Sequence, residues 1–170
     1  MCKLKVLIFM SMITLINGIC LYDLKSALAT AQRIWTRYRS YDRCTGGQSH
    51  KCIYNVVSNQ GYNHYLITQS YKVSGTWRRQ QFYGGIYETK SGPKMQLSPR
   101  RGEPGVEYTL VFWDNIEHCA VFTLKTKCAL ECEMHVWNDH VEKHVPKCQL
   151  AYKHHCTGQQ YGPYSKQCYF

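Results

Sequence analysis

The chain has no apolar run of 18 residues, so no stretch of it reads as a membrane-spanning helix. Carboxylates are scarce as well. Eleven Asp and Glu stand against 21 Lys and Arg, a formal net charge of +10. That balance points to negative partners such as heparin-like surfaces, anionic lipids or acidic proteins, and it also favours solubility. Nucleophile elbows, phosphate-binding loops and a recognisable acid/base constellation are missing, which leaves an enzyme without residue support. No repeat or linker divides the chain, and a single domain with no cofactor is expected.

Residues 1–20 have the features of a secretory signal peptide. Lys3 and Lys5 form a basic start, Val6 to Ile16 an apolar centre, and Gly18 and Cys20 supply the small residues of a cleavage site after residue 18 or 20. The expected product, residues 21–170, is secreted, and secretion argues against nucleic acid as a partner. Of ten cysteines, Cys2 and Cys20 fall in the leader. The other eight are Cys44, Cys52, Cys119, Cys128, Cys132, Cys148, Cys156 and Cys168, an even number that allows up to four disulfides.

Asp23 to Gln32 is rich in Ala and Leu and predicts a short helix capped by Asp23. Strand patterns then run from Ile34 to Tyr41, Cys52 to Ser58, Tyr62 to Val73, Thr76 to Tyr83, Ile86 to Lys90, Val106 to Trp113, Ala120 to Lys125 and Cys132 to Trp137. Turns are expected at Asn59–Gly61, Ser74-Gly75, Gly84-Gly85, Ser91–Pro93 and Ser98–Gly105. Pro146 opens a terminal helix, followed by an irregular tail that needs Cys168 to hold it. The fold class is therefore all-β. Eight antiparallel strands at hairpin spacing close into an up-and-down barrel that can hold one small ligand, with a β-sandwich as the competing architecture.

The segment from His118 to Cys148 carries Cys119-Ala120-Val121, then Glu133-Met134-His135 after 11 residues, then Cys148 after 12 more. This resembles the amine-binding signature of the tick salivary lipocalins, the histamine-binding protein family. There the signature reads Cys-Asp-Val/Ile/Leu, Glu-Leu-Trp/Tyr and Cys. Ala120, Met134 and His135 depart from it, and the absent Asp weakens an amine reading. The general lipocalin Gly-x-Trp appears only as Gly75-Thr76-Trp77, far from its usual place. The resemblance implies an eight-stranded lipocalin-type barrel with a short helix before it and one after it. It also implies the disulfides Cys119–Cys148 and Cys52–Cys168, leaving the pairing of Cys44, Cys128, Cys132 and Cys156 open.

The resemblance further implies a monomer that sequesters a small host mediator. An ammonium taken out of water needs a carboxylate or an aromatic cage. Glu133 stands at the family's Glu position and shares a strand face with His135 and Trp137. If that face points outward, Met134 and Val136 line the interior instead. Asp42, in the segment Arg37–Asp42, is a second candidate contact. A lipid mediator is the alternative ligand, with one arginine of the pairs Arg78-Arg79 or Arg100-Arg101 turned into the barrel to meet a carboxylate. A third reading engages a host immune or clotting protein through the basic outer face. Cys128 with Cys132 and His140 with His144 have spacings a metal accepts, but in an oxidising compartment disulfides are the commoner fate of such cysteines, and no metal is expected.

Overall fold

The computed structural model describes residues 4–9, 12–125 and 129–169, with side chains from residue 18 onward. Much of the expected leader, together with Cys128, lies outside the described side chains. Within the leader, Leu4–Phe9 and Met12–Asn17 pair as a hairpin that joins no other sheet.

Helix α1 (Leu21–Leu28) is shorter than predicted, and Asp23 is not its first cap. Cys20 takes that place. The Asp23 carboxylate, one turn in, accepts the Cys20 N–H at 2.8 Å. Eight strands follow: β1 (Ile34–Arg39), β2 (Lys51–Gly61), β3 (His64–Val73), β4 (Thr76–Thr89), β5 (Gly92–Ser98), β6 (Val106–Asp114), β7 (Cys119–Lys125) and β8 (Leu130–Trp137). They form a closed antiparallel barrel in which β8 pairs with β1. Helix α2 (Pro146–His155) packs on the outside against β6, β7 and β8.

Two strand assignments from the sequence need correction. Gly84-Gly85 is not a turn: β4 runs straight through it to Thr89. A Cβ on Gly84 would sit 3.3 Å from Leu97 and 3.5 Å from Ile67, so glycine serves close packing inside the barrel. The chain reverses at Lys90-Ser91 instead, and Gly92, with φ +116°, pairs with Thr89 to open the next strand. Residues Gly92–Ser98 form β5, in a stretch whose sequence pattern reads as turn and loop.

The apolar core is in two parts. Leu24, Ile67, Ile86, Met95, Leu110 and Phe122 fill the barrel interior, over α1. Trp35, Val121, Met134, Val136, Val145 and Tyr152 form a second cluster between the outer wall and α2. Strands β7 and β8 are thus buried on both faces. The weakest join is between β1 and β2, which share only the pairs Ile34↔Asn55 and Trp35↔Tyr54. The C-terminal tail covers this seam. Tyr161 exchanges backbone hydrogen bonds with Arg39, and the Cys52 N–H donates to the Pro163 carbonyl at 2.7 Å. Tyr164 and Tyr169 set their rings against Trp35, at 5.1 and 5.7 Å between centroids.

Three disulfides tie these parts together: Cys52–Cys168, Cys119–Cys148 and Cys132–Cys156. Cys44 does not pair as expected. It is exposed and free, in a small hairpin made by Cys44–Thr45 and Gln48–Ser49. Cys20, set aside with the leader, is instead buried and disulfide-bonded.

Cys52–Cys168 spans 116 residues and anchors the tail over the seam. Replacing both cysteines by Ser should cost about 4–5 kcal/mol of stability, measured by guanidinium titration. A loss under about 1 kcal/mol would mean that the tail does not support the barrel. Maleimide should label the native protein at Cys44, and Cys44→Ser should remove the label from the peptide that carries residue 44.

Candidate functional site

Strand β8 turns Met134 and Val136 outward under α2. Alternation then directs Glu133, His135 and Trp137 to the barrel interior. Glu133 and His135 are both buried. His135 Nε2 lies 2.6 Å from Glu133 Oε2, and the Tyr41 hydroxyl donates to Glu133 Oε1. Burial alone would raise the Glu133 pKa. The hydrogen bond and charge of His135, the Tyr41 hydroxyl and the Arg43 charge outweigh it, and the carboxyl is held below its ordinary value. It is an ionised group inside a barrel. Burial, then the Glu133 charge, raises the pKa of both Tyr41 and Tyr108, so both phenols stay protonated.

Asp42 is not part of this pair. It is exposed at the rim, and its carboxylate meets Arg39 Nη2 at 2.5 Å and accepts from Ser49 Oγ. The Ser49 bond, then those from Cys44 and the Arg39 charge, keep its pKa low against partial burial. Arg39 is only 2 % exposed and also donates to the His50 carbonyl at 3.2 Å. Its guanidinium lies 5.5 Å from the Tyr41 ring centre. Tyr41 thus links two ion pairs, touching one through its hydroxyl and the other through its ring.

Below this polar layer the walls turn apolar. Phe122 packs on His135 with ring centres 5.1 Å apart, and Trp137 packs on Trp113 at 5.5 Å. Trp137 Nε1 donates to the Ala27 carbonyl at 3.0 Å and so fixes α1 across the floor. Ala120, where the amine signature has Asp, stands opposite His135 in the β7–β8 register. Together with Ile34, these side chains enclose a void of about 10 Å³, room for roughly one water. Across β2, β3 and β4, Asn55, Gln69 and Gln80 form an amide ladder with bonds of 3.2 and 3.0 Å.

The structure brings Glu133 and His135 together, with Trp137 next on the same face, and leaves Asp42 at the rim. Neither arginine pair enters the barrel. Arg78 and Arg79 are exposed near the tip of the β3–β4 hairpin, Arg100 pairs with Glu103, and Arg101 lies over the Tyr83 ring. Arg39 is the buried arginine. The sequence signal for it was weak: one arginine among three between residues 37 and 43, without a periodic pattern to single it out. Cys132 is consumed by its disulfide, and His144 is exposed. His140 lies instead with His118 around the Asp139 carboxylate, at 3.0 and 2.9 Å.

The sequence model described as tick histamine binding protein matches residues 21–169. A search of curated proteins finds no match. Among solved structures, japanin from Rhipicephalus appendiculatus, bound to cholesterol, is similar in fold. Its TM-score is 0.59 at 12 % identity, over 84 % of this chain and 98 % of that one. The siderocalin Ex-FABP matches with a TM-score of 0.52 at 8 % identity, over 75 % and 83 % of the two chains. The cockroach allergen Per a 4 gives 0.53 at 8 %, over 79 % and 83 %.

The Glu133 pKa lies below its ordinary 4.5, so the pair contributes stability that is complete above that value. The contribution disappears as pH falls through the depressed folded value. Denaturation midpoints measured from pH 7 down to about pH 3 should therefore fall less steeply below about pH 4.5 for Glu133→Gln than for the wild type. Parallel curves would mean that Glu133 is not ionised in the fold.

Proposed function

Because the chain belongs to the tick histamine-binding protein family, we propose that it sequesters a small host mediator, and that the mediator is a biogenic amine of the histamine or serotonin type. The observation that carries this reading is Glu133: an ionised carboxylate facing the interior of a closed barrel, above a wall of Phe122, Trp113 and Trp137. An aromatic ammonium has the matching chemistry, since its charge replaces the His135 and Tyr41 contacts and its ring meets the indoles. Entry requires Tyr41 to swing away from Glu133 and the aromatic wall to open, because the void between the rings holds roughly one water. The family and the fold are those of binding proteins, and sequestration needs no turnover.

Secretion into saliva is part of the same reading. We place signal cleavage after Gly18, because Cys20 caps α1, is buried and is disulfide-bonded. A cut after Cys20 would remove all three roles.

Two observations favour a lipid mediator as the second reading: the apolar lower interior, and the buried Arg39, whose Nε has no partner. Japanin, similar in fold, is described with cholesterol bound.

Titration calorimetry separates the two. Under the amine reading, Glu133→Gln weakens histamine or serotonin binding at least about tenfold, because the ligand's charge is left unpaired in a dry site. Under the lipid reading, Glu133→Gln is neutral or favourable, and Arg39→Gln reduces fatty-acid affinity. Circular dichroism of each variant checks that the barrel is retained. If the wild type binds neither class at micromolar concentration, sequestration fails, and the basic outer face becomes the site for a host protein.

A further inference from the structure

The acidic residues are unevenly placed. From Arg43 to Tyr87 the sequence contains no Asp or Glu, yet it holds Arg43, Lys51, Lys72, Arg78 and Arg79. This stretch is β2, β3 and most of β4, three neighbouring strands of one wall. On that wall, beside the tail, is a groove of about 520 Å³. Its rim is Arg33, Arg78 and Arg79, its sides are Tyr54, Trp77 and Tyr169, and its floor includes Ser70 and Cys168. Among the described residues, none of these three arginines forms an ion pair with a carboxylate. The other arginine pair differs, since Arg100 is matched by Glu103 at 3.2 Å.

The aromatic sides are held in place rather than loose. Arg33 Cζ lies 4.7 Å from the Tyr54 ring centre, and Lys72 Nζ lies 5.1 Å from that of Trp77. The Trp77 ring meets Tyr54 edge-on at 5.5 Å. Trp77 and Tyr169 remain 41 % and 44 % exposed. The part-exposed rings of Trp77 and Tyr169, set among unmatched guanidinium groups, suit a ligand with flat apolar faces and several anionic oxygens. Guanidinium binds sulfate-type oxygens in a two-pronged geometry, and sugar rings stack on indole and phenol. A single small anion would leave most of this surface unused. A membrane would call for a projecting apolar side chain, whereas Trp77 is packed against Tyr54 and beneath Lys72.

We propose that this groove docks a sulfated glycosaminoglycan chain, separately from any ligand held inside the barrel. Retention on such chains would keep the protein where it is released. The interior site offers a carboxylate and the groove offers cations, so the two sites select ligands of opposite charge.

Surface plasmon resonance with immobilised heparin oligosaccharide tests this on the intact secreted chain. Arg78→Ser with Arg79→Ser should weaken binding at least about tenfold, and raising salt from 50 to 200 mM should weaken the wild type by tens of fold, as for about four phosphate-like contacts. Trp77→Ala should also lower affinity. Arg100→Ser with Arg101→Ser removes the same formal charge at another place and should change affinity less than about twofold. Glu133→Gln should leave heparin binding intact, so failure of the interior reading does not remove this one. Equal losses from the two arginine pairs would reveal diffuse charge attraction and overturn the groove. So would undiminished binding to desulfated heparin. Capture on phosphatidylserine vesicles without heparin binding would assign the surface to a membrane and overturn the proposal.

Discussion

Strand β8 has no solvent face, and the rest of the molecule is arranged around that constraint. Outward, Met134 and Val136 need an apolar cover, which α2 supplies. Yet α2 buries only Cys148 and Tyr152, too little apolar surface to hold ten residues in place by packing alone. Disulfides at Cys119–Cys148 and Cys132–Cys156 make up the difference by fixing the helix to the two strands it covers. Inward, Glu133 and His135 are cut off from water and must satisfy each other. The Tyr41 hydroxyl completes the carboxylate's contacts, which draws the segment after β1 across the end of the barrel.

The same logic explains the tail. With only two residue pairs joining β1 to β2, the wall at Trp35 would be open to solvent. Residues 161–169 close it with backbone hydrogen bonds, two tyrosine rings and one disulfide. This closure also builds one side of the basic groove, through Tyr169. A segment that reads as irregular in sequence is therefore a structural part of the barrel wall and contributes to a surface feature.

Much of the fold was legible because hairpin turns and alternation are local signals. The eight strands were counted correctly, but through two offsetting errors: a glycine pair inside β4 read as a turn, and β5 read as loop. Gly84 lies in tight contact with Leu97, a contact made across strands that leaves no local trace. The direction of Glu133 could not be read from β8, since alternation assigns a face only when one side is wet. Buried groups on both sides give the same pattern in either orientation. Arg39 was missed for a related reason, because its burial depends on Asp42 and the His50 carbonyl folding back over it. Asp42 is a candidate through the family resemblance, but its charge is already matched by Arg39. Cysteine pairing was legible only where family spacing supplied it. The fate of Cys44 and Cys20 depended on which loops meet in space.

Trp137 bonds its indole N–H to the Ala27 carbonyl and pins α1 across the floor. The rim where Tyr41 and the small Cys44–Ser49 hairpin stand is the opposite end of β1 from that floor. Under the proposed sequestration, a ligand admitted past Tyr41 would dwell inside for as long as that rim stays shut. Substitutions in the Cys44–Ser49 hairpin would then alter residence time without touching Glu133 or His135.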